Sequence, residues 1–260
     1  MTELALEATG VRKVYRKDGR DMPVLDVERF AAREGEFITI IGPSGCGKST
    51  FLHIMGGFIP ADSGTIRVYG SAVNGPGPDR GMMFQEFALF PWKTVAGNVA
   101  WGLEAQGFEK EKINETVAKY LDIMNLAEFR NHYPAEISGG MKQRAALARV
   151  LAFDPKVLLM DEPFGALDAQ TRETMQEEVT RIWERTRKTI VFVTHDIEEA
   201  VFLGDRVVVL SARPGRIRED IRIDLPRPRT LEIKKSSQCH AYRNTIWDLV
   251  RNQQQGTSNG

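Results

Sequence analysis

Three glycines and a lysine carry the chemistry of this chain: Gly42-Pro43-Ser44-Gly45-Cys46-Gly47-Lys48-Ser49-Thr50 has the spacing G-x-x-x-x-G-K-[ST]. Glycines at 42, 45 and 47 let the backbone turn successive N–H groups toward one point, where an anion belongs. Lys48 can reach the β and γ phosphates of a nucleotide, and the Ser49 hydroxyl can hold Mg²⁺. The apolar run Phe37-Ile38-Thr39-Ile40-Ile41 precedes the loop and Phe51-Leu52-His53-Ile54-Met55 follows it. Strand, turn and helix thus come in the order of a phosphate cradle, with the helix start adding free donors and a positive dipole end.

A second run, Val157-Leu158-Leu159-Met160, ends in Asp161 and Glu162. Four apolar residues without alternation suit a central parallel strand buried on both faces, and ligands of open α/β sheets bind at such carboxyl ends. Asp161 is expected in the Mg²⁺ shell, and Glu162, pointing the other way on the pleat, is expected to polarise water for attack on the γ-phosphorus. Between the two runs lies Ile137-Ser138-Gly139-Gly140-Met141, followed by an alanine- and leucine-rich helix former. Ser138 reads as the N-cap of a second anion-binding helix start.

On these motifs the sequence resembles the ATP-binding subunits of ABC transporters over roughly residues 4–250. The resemblance makes residues 42–50 the Walker A loop, Gln85 the Q-loop residue and a Mg²⁺ or γ-phosphate sensor, and Ser138, Gly139 and Gly140 the signature. It makes residues 157–162 the Walker B strand, Asp168 the D-loop aspartate and His195 the switch histidine. Tyr15 matches the aromatic that stacks on adenine, with half-buried packing as the other reading of a tyrosine on that strand. The signature departs from the usual Leu-Ser-Gly-Gly-Gln by carrying Ile137 and Met141. Met141 and the turn Ser211-Ala212-Arg213-Pro214-Gly215-Arg216-Ile217 resemble the importer branch for nitrate, sulfonates and taurine.

The fold implied is a P-loop NTPase core of RecA-like type, α/β, with an antiparallel β edge and an inserted α-helical subdomain. Residues 4–90 and 153–225 would form the core, about 91–152 the helical subdomain, and 226–260 a carboxyl-terminal extension with a frayed tail. The family mechanism is a two-chain sandwich, with Lys48, Ser49, Asp161 and Glu162 of one copy facing Ser138, Gly139 and Gly140 of a second across ATP·Mg²⁺. Further partners implied are an integral membrane permease, docked in a groove near Phe90 and Trp92, and indirectly an external solute-binding protein. The expected location is peripheral, on the cytoplasmic face of the membrane. The alternatives are an exporter subunit and, behind it, a non-transport ABC ATPase, and the solute stays open.

Composition agrees with this class. The 260 residues are 42% hydrophobic, enough for an α/β core without disulfides, and Cys46 and Cys239 lack metal-ligand spacing. Zero formal net charge disfavours a polynucleotide partner. No run approaches the roughly 18 apolar residues of a bilayer span, and residues 1–10 have no leader pattern, so neither export nor membrane insertion is expected. Cys46 sits at a helix start, where thiol pKa tends to fall, and its alkylation is expected to block ATP binding, with a small space-filling residue as the plainer reading.

The elements that must position these groups follow the hydrophobic pattern. Residues 4–15, 22–30 and 65–69 predict antiparallel strands beside the adenine, and 81–85 a short buried strand delivering Gln85. Ile113, Val117, Tyr120, Leu121 and Met124 predict a helix over 111–125. Asp168 caps a helix over 169–187, residues 189–194 form a strand ending at His195, and 207–210 form the last strand. His53, His132 and His240 read as structural, and residues 246–250 as a single amphipathic turn.

Overall fold

A computed structural model describes residues 3–255. Its strands in chain order are β1 (Leu4–Lys17), β2 (Arg20–Arg33), β3 (Phe37–Ile41), β4 (Ser63–Val68), β5 (Ser71–Ala72), β6 (Arg80–Met83), β7 (Val157–Asp161), β8 (Thr189–Val193), β9 (Arg206–Leu210) and β10 (Ile217–Arg222). The helices are α1 (Lys48–Met55), α2 (Val95–Ala105), α3 (Lys110–Ile123), α4 (Gly139–Ala152), α5 (Ala169–Thr186), α6 (Ile197–Leu203) and α7 (Ser237–Gln255).

Two sheets result. One is six-stranded, in the order β10-β9-β3-β8-β7-β6, parallel except for β10. Strands β3, β7 and β8 are buried at every residue, which explains why they read as apolar runs without alternation. The other sheet is four-stranded and antiparallel, β2-β1-β4-β5. The antiparallel strands therefore make a sheet of their own rather than an edge of the parallel one. Helix α1 lies between the sheets, with Phe51, Leu52 and Met55 buried beside Val27, Phe30, Ile38 and Ile40.

The segment between β6 and β7 holds α2, α3 and α4, whose apolar faces share a core with Phe164, Trp183 and Phe192. Val117, Tyr120, Leu121 and Met124 are buried there, as their helical spacing requires. The parallel strands share one rim at their carboxyl ends, where β3 leads to the phosphate loop, β7 to Asp161, β8 toward His195 and β6 toward Gln85.

Three sequence expectations change. Residues 207–210 are not the last strand, because β10 returns antiparallel to β9 after the turn at residues 211–216. The strand before Gln85 stops at Met83, leaving Gln85 exposed on a bend. Residues 246–250 belong to the 19-residue helix α7, not to an isolated turn. Ile246 and Cys239 bury against Ala200, Val201 and Leu225, and Arg243 reaches Glu198 at 3.2 Å. Of the frayed end expected after residue 250, residues 251–255 continue α7, and residues 256–260 lie outside the described residues.

Candidate nucleotide site

The phosphate loop leaves β3 at Ile41 and enters α1 at Lys48. Gly45 and Gly47 adopt φ of 72° and 101°, the left-handed region that a side chain disfavours. The Cys46 N–H donates to the Pro43 carbonyl at 3.2 Å, closing a turn that leaves Ser44 and Gly45 exposed on the loop crest. Lys48 is buried, and its Nζ donates to the carbonyls of Gly42 at 3.0 Å and Pro43 at 3.3 Å. Thr50 follows in the first turn of α1, half-buried.

Ser49 Oγ donates to Asp161 Oδ1 at 2.8 Å, joining the start of α1 to the end of β7. His53, one helical turn beyond Ser49, brings Nε2 to 3.3 Å from Asp161 Oδ2. That contact is close but not aligned as a hydrogen bond, leaving a buried ring nitrogen beside the carboxylate without a directed partner. His53, expected to be structural, lies beside this site. The edge of its ring rests on Phe84, with centroids 5.7 Å apart.

Glu162 is not a pleat position. The strand ladder ends at Asp161, and Glu162 turns off at φ 43° with its N–H donating to the Val193 carbonyl at 2.9 Å. A non-glycine residue in that region is held by its surroundings. The turn carries the carboxylate toward β8, where Oε2 lies 3.1 Å from His195 Nδ1.

Gln85 makes no hydrogen bond to Ser49 or Asp161 among the described residues. Its amide lies near Gly165, 3.7 Å from where a Cβ would sit. Tyr15 lies on β1, about one-third exposed, with Lys13 Nζ 5.6 Å from its ring centroid.

Ser138 caps α4, its Oγ accepting from the Met141 N–H at 3.3 Å, while Gly139 is exposed. Gly140 abuts Thr171 at the start of α5, where Asp168 Oδ1 accepts from the Thr171 N–H at 3.0 Å. That backbone donor holds the Asp168 carboxyl below its usual range. No hydrogen bond joins Ser138, Gly139 or Gly140 to residues 42–50 among the described residues. One chain therefore presents two separate helix starts. Met141 packs its side chain against the helical core. Two residues on, Gln143 is fully buried and donates through Nε2 to the Pro163 carbonyl at 2.7 Å, tying α4 to the turn after Glu162. Sequence reasoning passed over Gln143, although a glutamine inside an alanine-rich helix is the polar group that must find a partner.

Cys46 corrects an expectation. It is fully buried, and burial pushes its thiol up, outweighing the nearby Lys48 and the helix start. A buried, protonated thiol is a poor nucleophile, so Cys46 fills space beneath the loop.

Past Gln85, Trp92 is 71% exposed and Trp101 43%. Phe90 stands between them, its centroid 5.6 Å from Trp92 and 4.8 Å from Trp101. Buried Asn98 pins this segment, accepting from the Phe90 N–H at 2.7 Å and donating to the carbonyls of Phe90, Lys93 and Thr94 at 3.0–3.1 Å. Arg149 of α4 donates to the carbonyls of Ala88 and Phe87 at 2.6 and 3.1 Å. Among the described residues no helix is long and apolar enough to cross a membrane, and no cluster of three or more His, Cys, Asp or Glu could hold a metal.

A family model described as "ABC transporter" matches residues 25–165. The chain is 47% identical to the nitrate import ATP-binding protein NrtD of Synechocystis over 252 residues, 95% of each chain. It is 46% identical to the taurine import ATP-binding protein TauB of Roseobacter denitrificans, over 96% of each. The aliphatic sulfonates import protein SsuB of Bacillus cereus is also 46% identical, over 87% of this chain and 89% of that one. Among solved structures, the dimeric ATP-binding cassette MJ0796, bound to ADP and phosphate in a post-hydrolysis state, aligns with TM-score 0.74 at 31% identity. The match covers 85% of this chain and all of the cassette.

Proposed function

Because this chain belongs to the ABC transporter ATP-binding family and is the ATP-hydrolysing subunit of an importer, we propose how its residues divide the work and what it powers. The observation that carries the reading is the Ser49–Asp161 pair, a hydroxyl and a carboxylate 2.8 Å apart on the rim of the parallel sheet. Both are hard oxygen donors, and one or two protein oxygens completed by phosphates and water is the donor set Mg²⁺ takes. Bound there, the ion would offset charge at the β and γ phosphates.

Lys48 leaves the Gly42 and Pro43 carbonyls for the phosphates, and the loop N–H groups cradle them. Glu162 orients the attacking water and takes its proton, while His195, 3.1 Å away, holds that carboxylate and faces the γ-phosphate. Gln85 senses the γ-phosphate from its bend, and Tyr15 stacks on the base.

Ser138, Gly139 and Gly140 serve a nucleotide on a second copy, since within one chain they share no hydrogen bond with the loop. Two copies related by a twofold axis make two complete sites, and the dimeric state of MJ0796 supports this. The exposed aromatics Trp92 and Trp101, with Phe90 between them, form the surface on which a membrane permease docks. The chain then works at the cytoplasmic face of the membrane, in a system with an external solute-binding protein. The solute is a small anion or zwitterion of the nitrate, sulfonate or taurine type, on the strength of what the relatives import.

The test is titration with a fluorescent ATP analogue, with Mg²⁺, of the wild-type chain and Lys48→Ala. Loss of a charge-assisted hydrogen bond predicts at least a ten-fold weaker affinity. Equal affinities would remove the phosphate-cradle assignment.

A further inference from the structure

The turn between β9 and β10 has no part in the division of labour above, yet it packs against the phosphate loop. Gly215 exchanges backbone hydrogen bonds with β2, donating to the Val24 carbonyl at 2.8 Å and accepting from the Asp26 N–H at 2.9 Å. It also lies so close under the Cys46 carbonyl that any Cβ there would overlap it. The turn is thereby wedged between β2 and the loop, which brings Arg213 to the loop crest.

Arg213 Nε donates to the Gly45 carbonyl at 2.6 Å, and its second arm, Nη1, lies 3.3 Å from Met22 Sδ. Met22 is the cross-strand partner of Tyr15 in the β1–β2 ladder. One guanidinium thus spans from the left-handed glycine of the loop to the strand pair that carries Tyr15. The Gly45 carbonyl belongs to the same peptide group as the Cys46 N–H. A carbonyl that accepts from a cation polarises its own peptide, making that N–H a stronger donor. Arg213 is exposed, so its placement is not a by-product of core packing.

We propose that Arg213 is a positioning residue of the nucleotide site, bracing the Gly45 peptide of the phosphate loop against the strand pair that carries Tyr15. The proposal rests on the reading of residues 42–50 as a nucleotide cradle. It assigns to the loop crest a fixed shape before nucleotide arrives, which is felt in affinity rather than in the hydrolytic step.

The experiment titrates full-length wild type, Arg213→Ala, Arg213→Lys and Arg216→Ala with fluorescent ATP and ADP analogues, alongside steady-state ATP hydrolysis. Arg216 is in the same turn but pairs with Asp26 at 2.8 Å, away from the loop, and serves as the control for turn stability. Arg213→Ala is expected to weaken ATP and ADP alike by on the order of ten-fold, raising KM with kcat within about two-fold. Arg213→Lys keeps charge and one donor but cannot span both groups, and is expected between wild type and alanine. Wild-type affinity in Arg213→Ala, an equal loss in Arg216→Ala, or a lysine variant matching either extreme would overturn the proposal. If wild type itself binds neither analogue, the cradle reading fails and not the brace alone.

Discussion

The Nδ1 atom of His195 lies 3.1 Å from Oε2 of Glu162, two residues brought to one rim by the parallel pairing of β7 with β8. Glu162 reaches that position only because its backbone takes φ 43° past the end of its strand. The carboxylate is thus held from two sides, by a turn in its own backbone and by the imidazole.

Replacing Glu162 with Gln keeps the shape and removes the proton acceptor. Nucleotide affinity is expected to persist while phosphate release falls by about 10²- to 10⁴-fold. A phosphate-release assay checks this; turnover at wild-type level would move the base elsewhere.

His53 faces the other carboxylate oxygen of Asp161, opposite the one that Ser49 occupies. Groups behind a metal-binding carboxylate typically contribute 10- to 100-fold to metal affinity. His53→Ala is expected to raise the Mg²⁺ concentration needed for half-maximal nucleotide binding by about ten-fold, read by analogue fluorescence at fixed nucleotide. An unchanged Mg²⁺ dependence would return His53 to a packing role against Phe84.

Burial holds the Glu199 carboxyl above its usual range, although Gln176 Nε2 donates to it at 2.9 Å. A raised carboxyl pKa in the fold means the native protein holds this proton more tightly than the unfolded chain. Stability therefore falls as pH rises through the raised value and recovers toward and below 4.5. Glu199→Gln, which cannot ionise, is expected to melt higher than wild type at neutral pH, with the gap narrowing toward acid. Parallel melting curves across pH would contradict this.

Trp92→Glu places a charge on the most exposed large apolar side chain of the described residues. ATP binding by the isolated chain is expected to stay unchanged, while co-purification with the permease is lost. Retained assembly would separate this aromatic patch from docking.

The residues proposed to hold phosphate are close together in the sequence because the chemistry proposed for them demands a fixed local spacing. Gly42, Lys48 and Ser49 must sit within one turn, and Asp161 must end an apolar strand, so both could be read as strings. His53 was missed although it lies at i+4 from Ser49, hence on the same face of α1; the spacing was there, but which face meets β7 depends on the sheet. The fall expected in the Cys46 thiol pKa is reversed for the same reason, since a helix start is visible in sequence and the depth beneath it is not. Helix α7 was shortened because Cys239, Tyr242, Ile246 and Leu249, at helical spacing, are diluted by polar neighbours, and only the tertiary surface of α6, β9 and Leu225 gives that stripe something to cover. Strand β10 escaped notice because four of its six residues are charged, as suits an edge.

The carboxyl-terminal helix is fastened through Arg243 to Glu198, three positions past His195. A load carried by α7 is consequently felt in the segment that follows His195, whereas one carried by β1 acts on the antiparallel sheet.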